Sequence, residues 1–447
     1  MNPHKLRHAA AQFVAATVAL MILAAGCFGA VLCMFGQPDL RRISTLEATK
    51  LADVELSQLI GTTDYVKDEA TANPTLLRAV SSTLHLPFTD PLTMLTAELP
   101  ETQTQAAAST GGQSALIQSI TTWAASTNKI AMGWLASTST SACIQMLKDN
   151  PGINVASPQW FRLSDASGNI SGQVLPDVVK YAHEHHIKVW VLVDNNYSAS
   201  LTHAVLTNPK ARNNLIDELN YQAKLYHLDG INVDFENVAA ADRDAFTAFM
   251  KQLHDTLSPE GINLSVDVAP DIEPFNDSAA FFHAGLSDDV DEMVLMAYDE
   301  HWDGDSDPGP VADLPWVTQS VNDLLDTGVP TDKLVLGMPF YTRLWHVYKD
   351  GHVADKAVGV SDDSIKSALD DYHAGTGSFN QQLDLMYTRQ PQADGYMEMW
   401  YPTAKTYTDD LSLVNENGLA GVAVWSLDWS DKQTWSSVVS ALRDTLS

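Results

Sequence analysis

From Asn128 onward the chain alternates short apolar runs with longer amphipathic ones. The short runs fall at 129–135, at 152–155 with a continuation near 160–163, and at 188–193, 230–235, 263–267, 292–297, 333–338 and 420–425. Their length and their content of β-branched and aromatic residues predict strands. Between them, 140–148, 174–185, 210–226, 242–257, 275–286, 312–325 and 404–415 read as helices, and a further helical pattern at 431–446 closes the chain. Eight strands alternating with eight helices over residues 128–447 is the count for an α/β fold of the closed (β/α)8 TIM-barrel type. An open doubly wound sheet would need a glycine-rich phosphate loop after an early strand, and none is present.

Two regions break the alternation. Residues 341–399, between the seventh strand and the seventh helix, are too many for a loop and contain β-branched and aromatic pieces plus a helical stretch at 362–372. They predict a small α+β lobe inserted on the rim of the barrel, where it would deepen a groove. Ahead of the barrel, residues 37–127 read as a helical spacer and linker. Short amphipathic pieces at 46–59 and 74–84 are interrupted by Pro87, Pro91 and Pro100, and a Thr, Gln, Ala, Ser and Gly tract follows at 101–112.

The first segment has a different character. Residues 13–35 carry no charge and are flanked by Lys5 and Arg7 on one side and by Arg41 and Arg42 on the other. As a helix this run would extend roughly 34 Å, enough to cross a bilayer core. Residues 1–36 are therefore expected to be a signal-anchor helix or a signal peptide, which predicts an extracytoplasmic protein, tethered to the membrane or secreted. Basic residues on both flanks leave the orientation open. Lipidation at Cys27 is the weaker alternative: Ala24-Ala25-Gly26-Cys27 lacks the usual first Leu of a lipoprotein box, and apolar residues follow it.

Charge narrows the partners. Acidic residues outnumber basic ones 56 to 26, a formal charge of −30, and such a surface repels nucleic acid. Cys27 and Cys33 lie in the apolar run, which leaves Cys143 alone in the body, with no CxxC pattern for zinc or redox work. Cys143 is read as a buried small hydrophobe. A monomer is expected.

The chemistry gathers where strands finish, because the βα loops of a barrel converge there. In the run Leu228 to Glu236 an extended backbone puts Asn232, Asp234 and Glu236 on one face, at steps of roughly 7 Å, and Ile231, Val233 and Phe235 on the other. Strand interiors rarely hold unpaired carboxylates, whose desolvation must be offset by partners or a shifted pKa. Other strand ends supply Asp194 and Asn195, Asp267, Tyr298 and Asp299, Met338 with Tyr341 and Arg343, and Trp425 with Asp428. Acid, helper carboxylates, phenol and aromatic faces together suit a sugar. Glycoside cleavage needs an acid able to protonate the departing oxygen, and Glu236 can have its proton retained by the negative charge of Asp234. An N-acetyl sugar can supply its own acetamide oxygen as nucleophile. Asp234 would then orient the acetamide nitrogen, and Tyr298 would donate to its carbonyl.

Asp229-Gly230-Ile231-Asn232-Val233-Asp234-Phe235-Glu236 resembles the DGxDxDxE motif of glycoside hydrolase family 18, the chitinase-like barrels. Three further segments follow in the family's order: Leu295 to Asp299, Gly337 to Arg343, and Gly421 to Asp428. The continuation Ile231-Asn232-Val233-Asp234-Phe235-Glu236-Asn237 is most similar to the bacterial spore-cortex and cell-wall lytic N-acetylglucosaminidase subgroup. The resemblance implies Glu236 as acid/base, Asp234 as the acetamide-orienting aspartate and Tyr298 as the acetamide-binding hydroxyl. It implies substrate contacts from Asn232, Met296, Asp299, Tyr341 and Arg343, with Trp425 as the floor beneath the sugar. Asn232 departs from the best-known chitinases, which have aspartate there. An amide can hydrogen-bond to Asp234 but cannot share its proton, so the resting pKa of Asp234 should differ.

These residues predict a retaining glycosidase that cleaves β-linked N-acetylglucosamine polymers, peptidoglycan first and chitin oligomers second, without cofactor or metal. The alternatives are a carbohydrate-binding barrel of the envelope that does not turn over and a purely structural envelope protein. Trp345 and Trp400 divide evenly between sugar platform and lobe core. His183, His185 and His186 read as helix-end residues and not as metal ligands. The alternation Asp303-Gly304-Asp305-Ser306-Asp307 has Pro308 where a calcium loop needs glycine, so it reads as a solvated rim loop.

Overall fold

The computed structural model describes residues 117–275 and 277–444. The apolar run 13–35 and most of the spacer 37–127 lie outside them. Among the described residues no helix is long and apolar enough to cross a membrane. The stretch 117–124 is helical and packs on the barrel through Ile120, which is fully buried in the main core.

Eight parallel strands close into a barrel. They are β1 (Ile130–Leu135), β2 (Val155–Leu163), β4 (Lys188–Asp194), β5 (Gly230–Asp234), β6 (Asn263–Val268), β7 (Glu292–Met296), β8 (Leu334–Pro339) and β14 (Gly421–Trp425). Neighbours pair in that order, β14 pairs with β1 (Ile130↔Gly421), and β1 pairs with β2 (Met132↔Val155) to complete the ring. The alternation of side chains explains the two cores. On β5, Ile231 and Val233 point outward into a large cluster with helix residues such as Leu219, Phe249 and Leu253. A second cluster fills the barrel's lower interior with Met132, Trp134, Trp190, Leu192 and Val335. Gly230 opens β5 because a Cβ there would sit 2.5 Å from the Trp190 ring; only a bare backbone lets that indole cross the barrel floor.

Several helices begin at a side-chain cap. Ser139, Ser198, Asn208 and Asp313 cap Thr140–Asp149, Ala199–Leu206, Pro209–Tyr226 and Leu314–Asp326 through their side chains. Thr403 and Thr406 form a capping box at the start of Ala404–Glu416.

Several expected elements are corrected. The run expected from 152 with its continuation to 163 starts later, as β2 from Val155, and its register against β4 shifts between Gln159 and Phe161. A short strand β3 (Ile170–Gly172) hairpins onto it. Helix Ala199–Leu206 was not anticipated. The helix expected at 275–286 shrinks to His283–Asp288: Phe275 and Phe282 are exposed, and Phe281 packs edge-on against Phe246 at 5.0 Å, so these apolar residues form a loop wall and not a helical stripe. The inserted lobe is present and richer in strands than expected. It is an antiparallel sheet of β9 (Tyr341–Tyr348), β10 (Val358–Ser361), β11 (Ser378–Asn380), β12 (Leu385–Pro391) and β13 (Gly395–Tyr401), covered by helix Ile365–Asp371. Leu344, Val360, Leu369, Met397 and Met399 make its core.

The end of the barrel away from the strand C-termini carries a half-buried acid. Glu292, the first residue of β7, accepts from Asn263 Nδ2 at 2.8 Å, yet burial still pushes its carboxyl up to about 7. With 4.5 as its ordinary value, Glu292 contributes stability that is complete below about pH 4.5 and lost as pH rises through about 7. Glu292→Gln removes that loss. Thermal melts should therefore match wild type near pH 4.5 and run above it at pH 8; equal midpoints at both would contradict the assignment.

Candidate active site

The inner face of β5 is built in layers. At the lower level Asn232 is completely buried and all its amide capacity is used. Its Oδ1 accepts from Trp134 Nε1 at 2.9 Å and Ser157 Oγ at 3.1 Å, while Nδ2 donates to Ser265 Oγ at 3.0 Å and Asp267 Oδ1 at 2.8 Å. The expected substrate contact at Asn232 is therefore corrected. Its amide meets Asp267 on β6, not Asp234, and it is a brace across four strands.

One level up, Asp234 is buried and its Oδ1 has no hydrogen-bond partner. Burial pushes its carboxyl well above the usual carboxylate range, and the negative charges of Asp267, Glu236 and Asp194 push the same way. Asp267 is also buried, with Oδ2 unpartnered. Its carboxyl is raised by burial and by Glu236, but the bond from Asn232 opposes the shift. That bond favours negative charge on Asp267, whereas Asp234 Oδ1 has no such donor. Asn232 thus acts on Asp234 through Asp267, a path invisible in a one-strand reading.

Glu236 lies beyond the end of β5 and is exposed. Phe235, fully buried, stacks on Phe249 at 5.8 Å and packs near Phe246 at 6.2 Å, so the residue between the two carboxylates is a fixed anchor. A cavity of about 300 Å³ opens beside Glu236, lined among others by Tyr197, Asp267, Met296, Tyr298 and Asp299.

Tyr298 is buried, and desolvation, followed by the nearby Tyr341 and the site's carboxylates, drives its phenol well above 10. It stays an O–H donor at any working pH. Asp299, in a left-handed backbone conformation with φ 63°, accepts on one oxygen from Tyr341 Oη and Arg343 Nη2, both at 2.6 Å. Arg343 Nε also donates to the His301 carbonyl. Tyr341 and Arg343 therefore spend their polar atoms on Asp299 and its loop, and neither lines the cavity. Trp425, half-buried, meets Trp134 edge-on at 5.7 Å and packs beside the Tyr298, Tyr341 and Val311 cluster together with Met296.

The other candidates resolve plainly. Trp345 is fully buried and donates to the Gly309 carbonyl, so it is a core residue. Trp400 is half-buried against Tyr387. His183 bonds Asp229, His185 bonds the Tyr181 carbonyl, and His301 bonds Asp305 across the rim loop. Among the described residues no group of His, Cys, Asp and Glu is arranged to hold a metal ion. Sequence reasoning placed Asp194, Asn195 and Asp267 at strand ends without roles. Their position was the available signal; their partners lie on other strands and could not be read from spacing.

A family model for glycosyl hydrolases family 18 matches residues 117–429. The chain belongs to glycosyl hydrolase family 18. Among its relatives in the family, YdhD of Bacillus subtilis (strain 168), by its name a sporulation-specific glycosylase, is 29% identical over 247 residues, covering 53% of this chain and 56% of that protein. The cortical fragment-lytic enzyme of Bacillus anthracis is 26% identical over 263 residues, 55% of this chain and 57% of that one. The chain thus spans little more than half the length of these two relatives. Within the family the fold is shared with the Bacillus cereus spore cortex-lytic enzyme SleL, whose crystal structure aligns at a TM-score of 0.63 with 21% identity over 70% of this chain and 74% of that one.

Proposed function

We propose that this family 18 chain is a retaining glycosidase that cleaves β-linked N-acetylglucosaminyl bonds with the substrate's own acetamide as nucleophile. The observation that carries this reading is the pairing of an exposed Glu236, just past the end of β5, with a buried Asp234 at that strand's last position, near the buried phenol of Tyr298. Glu236 protonates the departing oxygen. As the acetamide oxygen attacks the anomeric carbon, positive charge grows on the ring and on the acetamide, and Asp234, ionised for this step by passing its proton to the neighbouring Asp267 carboxylate, stabilises it through the acetamide N–H. Tyr298, a permanent donor, holds the acetamide carbonyl in line for attack. The oxazolinium intermediate is opened by water that Glu236, now the base, deprotonates, and the anomeric configuration is retained.

Met296, Asp299 and Trp425 are assigned to the sugar, with Trp425 as its platform. Tyr341 and Arg343 act by holding Asp299. Peptidoglycan is the first substrate, in keeping with the names of the cortical fragment-lytic and spore cortex-lytic relatives, and chitin oligomers are the second. We assign the chain an extracytoplasmic location, with residues 1–36 as anchor or signal, residues 37–127 as spacer, and a monomeric barrel from 128 onward. The test is product analysis. The full chain is incubated with purified peptidoglycan and, separately, with chitin oligomers, and products are read by mass spectrometry and by NMR of the new reducing end. Products of initially β configuration with N-acetylglucosamine at the reducing end are expected; α products would overturn the mechanism, and binding without cleavage would favour the non-catalytic barrel.

A further inference from the structure

Beyond the end of β5 the backbone of Glu236 has no strand beside it. The ladder between β4 and β5 runs up to Asp194 opposite Asp234 and stops there, because the chain after β4 turns away through left-handed residues Asn196 (φ 58°) and Tyr197 (φ 51°). Yet Glu236, two residues further on, is held. Asn195 Nδ2 donates to the Glu236 carbonyl at 2.6 Å, and Asn195 Oδ1 accepts from the Glu236 N–H at 3.2 Å. The side-chain amide offers one acceptor and one donor in a plane, the same pair a backbone peptide would present.

We propose that Asn195 is the positioning residue for Glu236. Its carboxamide serves as a surrogate strand partner that fixes the backbone from which the general acid projects. This rests on the function proposed above. The clamp is itself held. Asn195 is buried at 1% exposure, its Nδ2 also donates to Thr202 Oγ1 at 2.8 Å on helix Ala199–Leu206, and its Oδ1 also accepts from the Tyr197 N–H. Asn237, left-handed at φ 52°, returns the tie by donating from Nδ2 to the Tyr197 carbonyl. Two loops from adjacent strands are thereby locked together around the acid. No other residue type does this job: aspartate cannot donate, serine is too short to bridge both atoms, and glutamine carries an extra methylene with no room at a buried site.

A residue that places a general acid has a specific kinetic mark, because a leaving group stable as an anion departs without a proton. The test compares the full chain with its Asn195→Ala and Asn195→Asp variants on two aryl β-glycosides of N-acetylglucosamine oligomers, one with a 4-methylumbelliferyl and one with a 3,4-dinitrophenyl leaving group. For Asn195→Ala we expect kcat on the methylumbelliferyl substrate to fall about 10²-fold and on the dinitrophenyl substrate by less than about fivefold, with KM little changed on both. Asn195→Asp keeps the acceptor and the volume, so it carries the test if the alanine variant fails to fold, and the same selective loss is expected, about tenfold. Equal losses on both substrates, or a loss confined to KM, would overturn the positioning role. Wild-type protein that cleaves neither substrate would instead overturn the glycosidase reading, a result distinct from failure of the clamp.

Discussion

Glu236→Gln is expected to lower turnover of N-acetylglucosamine oligomers by roughly 10³-fold while moving the thermal midpoint by no more than about 1 °C. The two halves of this expectation come from different parts of the structure. Turnover falls because glutamine has the shape of the acid but no proton to give, and the acetamide then has to expel a poor alkoxide. Stability holds because the Glu236 side chain is exposed and the segment is anchored by its backbone to Asn195 and by Phe235 in its aromatic stack. The measurement pairs initial rates with a melting curve on the same preparation. A glutamine variant that hydrolyses at the wild-type rate would remove Glu236 from the mechanism.

Asp234→Asn should move activity and stability in opposite directions. An amide cannot ionise to answer the positive charge that builds on the acetamide, so a loss of about 10²–10³-fold in kcat is expected, the scale of removing one preorganised electrostatic group. For stability the sign runs the other way. Folding raises the Asp234 pKa above its ordinary 3.8, so this group contributes stability that is full below about pH 3.8 and is lost as pH rises through the folded value. Asparagine escapes the loss, and the variant should unfold at higher denaturant than wild type at pH 7, with the gap closing toward pH 4. A variant less stable than wild type at pH 7 would mean that the buried carboxyl has a partner strong enough to offset its desolvation. Family 18 geometry in this chain therefore includes a carboxyl whose site is built at a cost to the fold, the usual conflict between function and stability.

Much of this was legible in the sequence, and the reasons are physical. The eight barrel strands were found because a strand buried on both faces reads as a short apolar run whatever its neighbours are, and their observed limits differ from the expected ones by only a few residues. The face-sharing of Asn232 and Asp234 followed from the two-residue period of an extended backbone, whereas Glu236 lies past the strand's end. What stayed hidden depends on contacts between strands. Spacing alone could not show that the Asn232 amide turns to Asp267, that Arg343 and Tyr341 converge on Asp299, or that a side chain from the residue after β4 completes the pairing of Glu236. The loop after β6 was misread for a related reason: Phe275, Phe281 and Phe282 carry a helical rhythm by chance, and only the exposure of two of them reveals a wall beside the cavity.

The lobe and the rim loop after β7 are fastened to each other. Trp345 of β9 donates to the Gly309 carbonyl, Arg343 of the same strand donates to the His301 carbonyl and grips Asp299, and the Ala357 N–H reaches the Asp303 carbonyl. Anyone grafting this lobe onto another barrel to alter its taste for polymers would have to transplant residues 299–313 along with 341–401. Moved without its companion loop, the graft would arrive with a stranded guanidinium and an empty indole contact, and the recipient's own Asp299 counterpart would lose the grip that shapes it.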